Sequence, residues 1–255
     1  MASVSKILRE IPSNLIGIAE PSELDPTLSH EVWKLGISEL DHALPGGGLL
    51  RGAVTEFSVF GGGAGGTALS LLTCRAAWKD SQTFPGSEAW CAFVDPGGCL
   101  HAPGLARLKV DLEHLLVVRP DPDALLRTTL RLVESKCFTV IVVDTMGCMG
   151  RRVTTQLGSW LKPIRRISSL LEGTNSSLLL ITDAMQPRPL PLPVATRVEL
   201  RASRQSGITL QTVKDKYGRL SRPHKLQWPN ETEEESGVFE LDCVQPGFPN
   251  LARSA

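Results

Sequence analysis

The sequence predicts an α/β fold: a three-layer core with a mainly parallel central sheet, extended by antiparallel strands toward the C-terminus. Three observations carry this. Short apolar runs alternate with helix-like segments between residues 53 and 182, the pattern of a parallel sheet covered on both faces. A β-prone run from Ala53 to Phe60 feeds a glycine-rich turn, Gly61-Gly62-Gly63-Ala64-Gly65-Gly66, and then a helix-like segment from Thr67 to Lys79. After residue 195 the style changes to extended runs joined by short turns: Ala195 to Arg204, Gly207 to Lys214 and His224 to Trp228.

Taken in order, residues 1–33 read as an N-terminal arm, with an amphipathic stretch from Val4 to Ile11 stopped by Pro12. A core domain spans 34–228 and an acidic, flexible tail 229–255, containing Glu231-Thr232-Glu233-Glu234-Glu235 and a short apolar piece around Phe239 and Leu241. Ser38 to Leu44 predicts a short helix with Ser38 as its N-cap. Ala68, Leu69, Leu71, Leu72, Ala76 and Ala77 have the spacing of a buried helix. Ala89 to Asp95 and Leu115 to Val118 read as buried parallel strands, with a short helix over 101–110 between them. Asp121-Pro122 starts the next helix, an acid at the N-cap and proline in the first turn. Thr139 to Asp144 is the clearest strand. A long helix from Gln156 to Glu172 is expected to kink at Pro163 and to end at Gly173, and Ser177 to Thr182 is a further strand.

Composition narrows the function. The chain has 255 residues, 42% hydrophobic and 21% charged, enough to bury one sizeable core. Lys+Arg 27 balance Asp+Glu 27, so no global field draws in nucleic acid and any DNA contact must be a local patch. The six cysteines form no C-x-x-C pair and read as reduced. No apolar run reaches ~18 residues and no signal-peptide core is present, so a cytoplasmic protein without a membrane span is expected. The histidines show no metal spacing, and no Ser/His/Asp or Cys/His arrangement supports nucleophilic catalysis.

The glycine turn is the one motif with a mechanism. Strand, glycine loop and helix form the context of a phosphate-binding loop, whose pattern is G-x-x-x-x-G-K-[ST]. In one register Phe60 replaces the first glycine, Gly66 the lysine, and Thr67 keeps the hydroxyl; in the other Thr67 takes the lysine position and Ala68 the hydroxyl. Neither places a cation on the β/γ-phosphates. Gly61, Gly62, Gly63, Gly65, Gly66 and Thr67 are thus a degenerate phosphate loop, and no bound cofactor is expected.

From about Leu35 to Trp228 the residues resemble the RecA recombinases. Leu40-Asp41-His42-Ala43-Leu44 before the glycines, Ala92-Phe93-Val94-Asp95, Val110-Asp111-Leu112, Ile141-Val142-Val143-Asp144-Thr145, Arg197-Val198-Glu199-Leu200-Arg201 and Val213-Lys214-Asp215-Lys216 follow one another in that family's order. The resemblance implies a RecA-like core and places a Walker B-like acid at Asp144. It also marks departures. The position of the water-activating glutamate falls on Gly97, and the γ-phosphate-sensing glutamine falls near Ala184. The two DNA-binding loops are reduced to Met146–Arg152 and the proline-rich Gln186–Pro193. Each lost element typically costs ~10²-fold or more in phosphoryl transfer, so ATP hydrolysis is expected to be absent.

A short RecA-like chain with a degenerate loop is most similar to the ImuA family, also labelled SulA-like. That resemblance implies DNA-damage-induced translesion mutagenesis, with RecA, an ImuB-like Y-family homologue and an error-prone polymerase as partners, and nucleoid association on damage. Lys214 and Lys216 match the lysine pair that, in RecA filaments, reaches the ATP held by a neighbouring subunit. Strand alternation predicts both on one face, a RecA-binding face that caps a filament end. Arg151, Arg152, Arg165 and Arg166 are candidates for a DNA or partner patch, against the simpler reading of solvated helix surface. Two other readings stay open: an active ATP-dependent DNA-binding ATPase, and a SulA-like cell-division inhibitor.

Overall fold

The computed structural model describes residues 32–61, 65–83, 88–100, 102–146, 157–186, 191–203 and 207–226. Residues 1–31 of the arm expected at 1–33, the acidic tail, the proline run at 187–190 and Arg151 and Arg152 lie outside these; Val32 and Trp33, read as part of the arm, are buried and belong to the core domain.

The elements are β1 (Val32–Trp33), α1 (Ser38–Ala43), β2 (Leu49–Leu50), β3 (Val54–Phe60), α2 (Gly66–Ser81), β4 (Cys91–Val94), α3 (Ala102–Arg107), β5 (Leu115–Val118), α4 (Leu125–Ser135), β6 (Val140–Asp144), α5 (Leu161–Leu171), β7 (Ser177–Asp183), β8 (Thr196–Ser203), β9 (Gly207–Lys214) and β10 (His224–Leu226). One eight-stranded sheet runs in the order β10-β9-β8-β3-β7-β6-β4-β5. Strands β3 to β8 pair in parallel where they meet, and β9 and β10 add antiparallel to β8. The predicted mixed sheet is therefore the one observed; β8, read as part of an antiparallel meander, also joins β3 in parallel.

Side-chain alternation sorts the core onto two faces. On one, Phe57, Val59, Phe93, Val142, Leu179, Ile181, Val198 and Leu200 pack with α1 and α2 through Leu40, Leu69 and Leu72. On the other, Val54, Ala92, Val94, Ile141, Val143, Leu178 and Leu180 pack under α4 and α5 through Leu125, Val133, Ile164 and Ile167. The core strands are near-continuous hydrophobic runs because both faces are covered.

Local details correct three expectations. Leu115 to Val118, read as a buried strand, forms β5 at the edge of the sheet with Leu116 and Val117 exposed, because an apolar run alone does not set a strand's place in the sheet. Ser38 is the first helical residue, not the N-cap: Ile37 holds that position, and the Ser38 hydroxyl meets His42 instead. Pro163 does not kink a long helix. A 3₁₀ turn, Leu157–Trp160, precedes α5, so Pro163 falls in the first α-helical turn, where its missing N–H has no helical acceptor to lose. Gly173 does end α5, in the left-handed conformation at φ 73°. The small β1–β2 sheet was not anticipated. Trp33 is buried there, donating from Nε1 to Ser177 Oγ at 3.0 Å, with the Arg51 guanidinium 3.7 Å over its ring.

Candidate functional site

All parallel strands finish at one edge of the sheet, and the glycine loop leaves β3 there. Gly61 (φ 83°) and Gly65 (φ 84°) take backbone conformations that favour glycine; Gly62 and Gly63 lie outside the described residues. Gly65 is the N-cap of α2 and Gly66 its first residue, so Thr67 stands in the first helical turn. In the register that keeps this hydroxyl, Gly66 occupies the lysine position. A Cβ there would lie 3.0 Å from Val59 Cγ2 and 3.1 Å from Ile181 Cγ2. One at Gly65 would meet Ile208 Cδ1 at 3.0 Å. Branched apolar side chains from β3, β7 and β9 thus crowd the start of the helix. Phe60, at the first-glycine position, is covered by the Arg201 guanidinium, 3.5 Å from its ring centroid.

The acids at this edge are engaged by their own loops. Asp95 is fully buried and accepts from the backbone N–H groups of Cys99 (2.9 Å) and Leu100 (3.0 Å), with Arg119 Nε at 3.6 Å. This closes the Pro96-Gly97 turn, where an activating glutamate was expected to be missing. Asp144 ends β6 and accepts from Met146 N–H at 2.8 Å. Asp95, Cys99 and Asp144 bring ligand atoms within 4.8 Å of one another. A thiol between two carboxylates committed to backbone donors is a poor match to the all-oxygen shell that magnesium takes. Ala184 N–H donates to Val59 O at 2.9 Å, tying the end of β7 to β3.

Beneath the loop, inside the sheet, lies a charged group that the sequence reading missed. Glu56 of β3 is fully buried, accepts from Thr182 Oγ1 at 2.7 Å and from Arg197 Nε at 2.7 Å, and sits opposite Arg197 in register. An acid inside an otherwise apolar strand was the available signal. Arg197 in turn faces Lys214 across β8–β9. Burial, and then the nearby Arg197 charge, push the Lys214 ammonium below the ordinary lysine range, with Glu56 opposing.

Lys214 closes β9, which runs against β8, and its partner Arg197 is near the start of β8. The lysine therefore lies at the opposite edge of the sheet from the glycine loop. Strand alternation does not extend to Lys216: the strand ends at Lys214, and Lys216 sits in the following turn, its Nζ 3.5 Å from Glu172 Oε1. Both lysines still lie toward α5, Lys214 through Glu56 and Lys216 through Glu172 at the α5 terminus. Asp215 between them is buried and accepts from Arg219 Nε at 3.0 Å. Of the arginine candidates, Arg166 pairs with Glu134 of α4 at 2.6 Å and Arg165 is exposed on α5.

A doubly covered parallel sheet with a glycine loop between its first core strand and helix defines the RecA-type nucleotide-fold class. The family model described as the RecA N-terminal domain matches residues 22–157, more than half of the chain, and the chain belongs to that family. A mitochondrial DNA repair protein recA homolog of Dictyostelium discoideum is 32% identical over 164 residues, 59% of this chain and 34% of its own. Protein RecA of Brucella anthropi is 30% identical over 169 residues, 61% of this chain and 44% of its own. Protein RecA of Brucella canis is 35% identical over 130 residues, half of this chain and 34% of its own. The chain thus spans less than half the length of these relatives. No helix among the described residues is long and apolar enough to cross a membrane.

Proposed function

We propose that this protein is a catalytically silent RecA-fold adaptor in DNA-damage-induced translesion mutagenesis. It docks on a RecA subunit that holds ATP and caps one end of a RecA filament, and it also binds an ImuB-like Y-family homologue and its error-prone polymerase partner. The observation that carries the reading is the contrast between the two edges of the sheet. At the loop edge, glycine stands at the lysine position and the space a side chain there would take is bordered by Val59 and Ile181. At the far edge, Lys214 and Lys216 remain as cations.

A subunit with only one of two complementary faces joins a head-to-tail array once and offers nothing to the next member, so growth stops. Two ammonium groups suit a γ-phosphate on the partner. Burial and the nearby Arg197 hold the Lys214 ammonium below the ordinary lysine range, and an approaching phosphate would act in the opposite direction, favouring the charged form. The test is binding to RecA filaments on single-stranded DNA with a slowly hydrolysed ATP analogue. Lys214→Ala with Lys216→Ala should abolish the nucleotide-dependent binding while leaving the fold intact, and unchanged binding overturns the lysine assignment.

An ATP-dependent DNA-binding ATPase is the second reading. It draws on relatives named RecA and DNA repair protein and on Asp95 and Asp144 converging at the loop edge. Turnover of ATP by the purified protein would favour it.

A further inference from the structure

The turn between β9 and β10 is built as a rigid projection rather than a loose hairpin. Asp215, its side chain fully buried, accepts from the backbone N–H groups of Tyr217 (3.0 Å) and Arg219 (3.2 Å) and from Arg219 Nε. Gly218 N–H donates to Asp215 O at 3.1 Å, and Leu220 N–H to Gly218 O at 3.1 Å. Ser221 closes the base, accepting from Thr212 N–H at 2.8 Å and donating its own N–H to Thr212 O at 3.2 Å. The Arg219 guanidinium also packs on Gly46 in the turn after α1, so closely that a Cβ at Gly46 would collide with it.

What this frame presents is a ring. Tyr217, the chain's single tyrosine, is 52% exposed, and Leu220 in the same turn is 44% exposed. Arg219 lies 4.8 Å and Lys216 5.9 Å from the ring centroid. Between Lys214 and Lys225 the sequence carries Lys214, Lys216, Arg219, Arg222 and Lys225 against the one acid Asp215, and that acid is buried under Arg219, so the exposed charge is positive.

We infer that Tyr217, with Arg219 and Leu220 of the same turn, is the anchor by which the protein grips a partner protein whose facing surface is anionic; this rests on the proposed RecA docking and adds a contact that does not involve the nucleotide. Tyrosine and arginine dominate the energetics of protein interfaces because they bury large area for few lost torsions. Holding the ring before contact lowers the ordering cost of binding. The positive turn matches an anionic facing surface of the partner protein itself. Single-stranded nucleic acid is served less well. It binds along basic grooves with successive stacking rings, and between Lys214 and Lys225 the chain has one Phe, Trp or Tyr residue.

The experiment measures binding of the full chain to RecA, nucleotide-free and loaded with a slowly hydrolysed ATP analogue, and separately to a fluorescent single-stranded oligonucleotide. Tyr217→Ala should weaken RecA binding about tenfold or more in both nucleotide states, Tyr217→Phe should stay within about twofold, and melting should be unchanged for these exposed-site variants. The Lys214→Ala, Lys216→Ala pair, by contrast, should remove only the nucleotide-dependent part. If wild type binds RecA and Tyr217→Ala binds equally well, the anchor is wrong while the RecA reading stands. If wild type does not bind RecA, the proposed function itself fails and the anchor with it. Loss of oligonucleotide binding in Tyr217→Ala with RecA binding intact would assign the ring to nucleic acid and overturn the inference.

Discussion

Gly66 begins α2 with Val59 and Ile181 methyl groups against the direction a side chain would take. Putting the lysine back is therefore a packing problem as well as a chemical one. Gly66→Lys is expected to lower stability by about 1–3 kcal/mol through overpacking and to leave binding of a fluorescent ATP analogue no stronger than in wild type. A gain of binding would show that the loop edge opens on its own. The buried Glu56–Arg197 pair gives a second residue-scale prediction. Glu56→Ala strands a guanidinium inside the sheet and should cost about 3–5 kcal/mol in chemical denaturation, with a good part recovered when Arg197→Met is added. Lys214 supplies a pH dependence. Its folded-state affinity for protons is depressed, so the folded protein sheds that proton before an unfolded lysine would. Stability linked to Lys214 is accordingly present above the ordinary lysine value and lost as pH falls through the depressed one. Partner binding runs the other way: if it needs the ammonium, RecA affinity declines on the alkaline side, beginning below the ordinary lysine range, and Lys214→Arg flattens that decline.

At the scale of elements, backbone signals were legible and tertiary ones were not. Leu115 to Val118 and Gly207 to Lys214 were read with the bounds the structure has, since apolar runs and alternation mark strands, though the apolar run at Leu115 to Val118 did not distinguish an edge strand from a buried one. Gly173 was legible because a left-handed helix end favours glycine; nothing lies within 4 Å of a Cβ built there, so Gly173→Ala should cost only backbone strain, roughly 1–2 kcal/mol in urea denaturation. Pro163 misled because the proline rule depends on where the helix starts, and the preceding turn is 3₁₀ rather than α. The β1–β2 pair was hidden for a related reason. Two-residue strands carry no period, and what fixes them is Trp33 meeting Ser177 across 144 residues. In the candidate site, the missing lysine could be read from the spacing of the loop, and the glycine at 97 stood out only through the resemblance. The crowding of Gly66 and the Glu56–Arg197–Lys214 group could not, because each joins strands distant in sequence through sheet register; the Asp215-braced turn is local, but an acid between two lysines does not show which N–H groups it will accept from.

For the whole molecule the central claim is polarity: one sheet edge whose phosphate loop lacks its cation, and an opposite edge that keeps two lysines. That arrangement predicts an asymmetric effect on a polymer of RecA. The most direct measurement titrates the protein into RecA assembled on single-stranded DNA and follows RecA's ATP turnover, alongside the protein alone with ATP. The account predicts that RecA turnover falls at protein concentrations well below that of RecA, as expected when each filament end is stopped once, and that the protein alone shows no turnover. Turnover by the protein alone, with RecA unaffected, would contradict it and return the glycine loop to the role its position in the fold suggests.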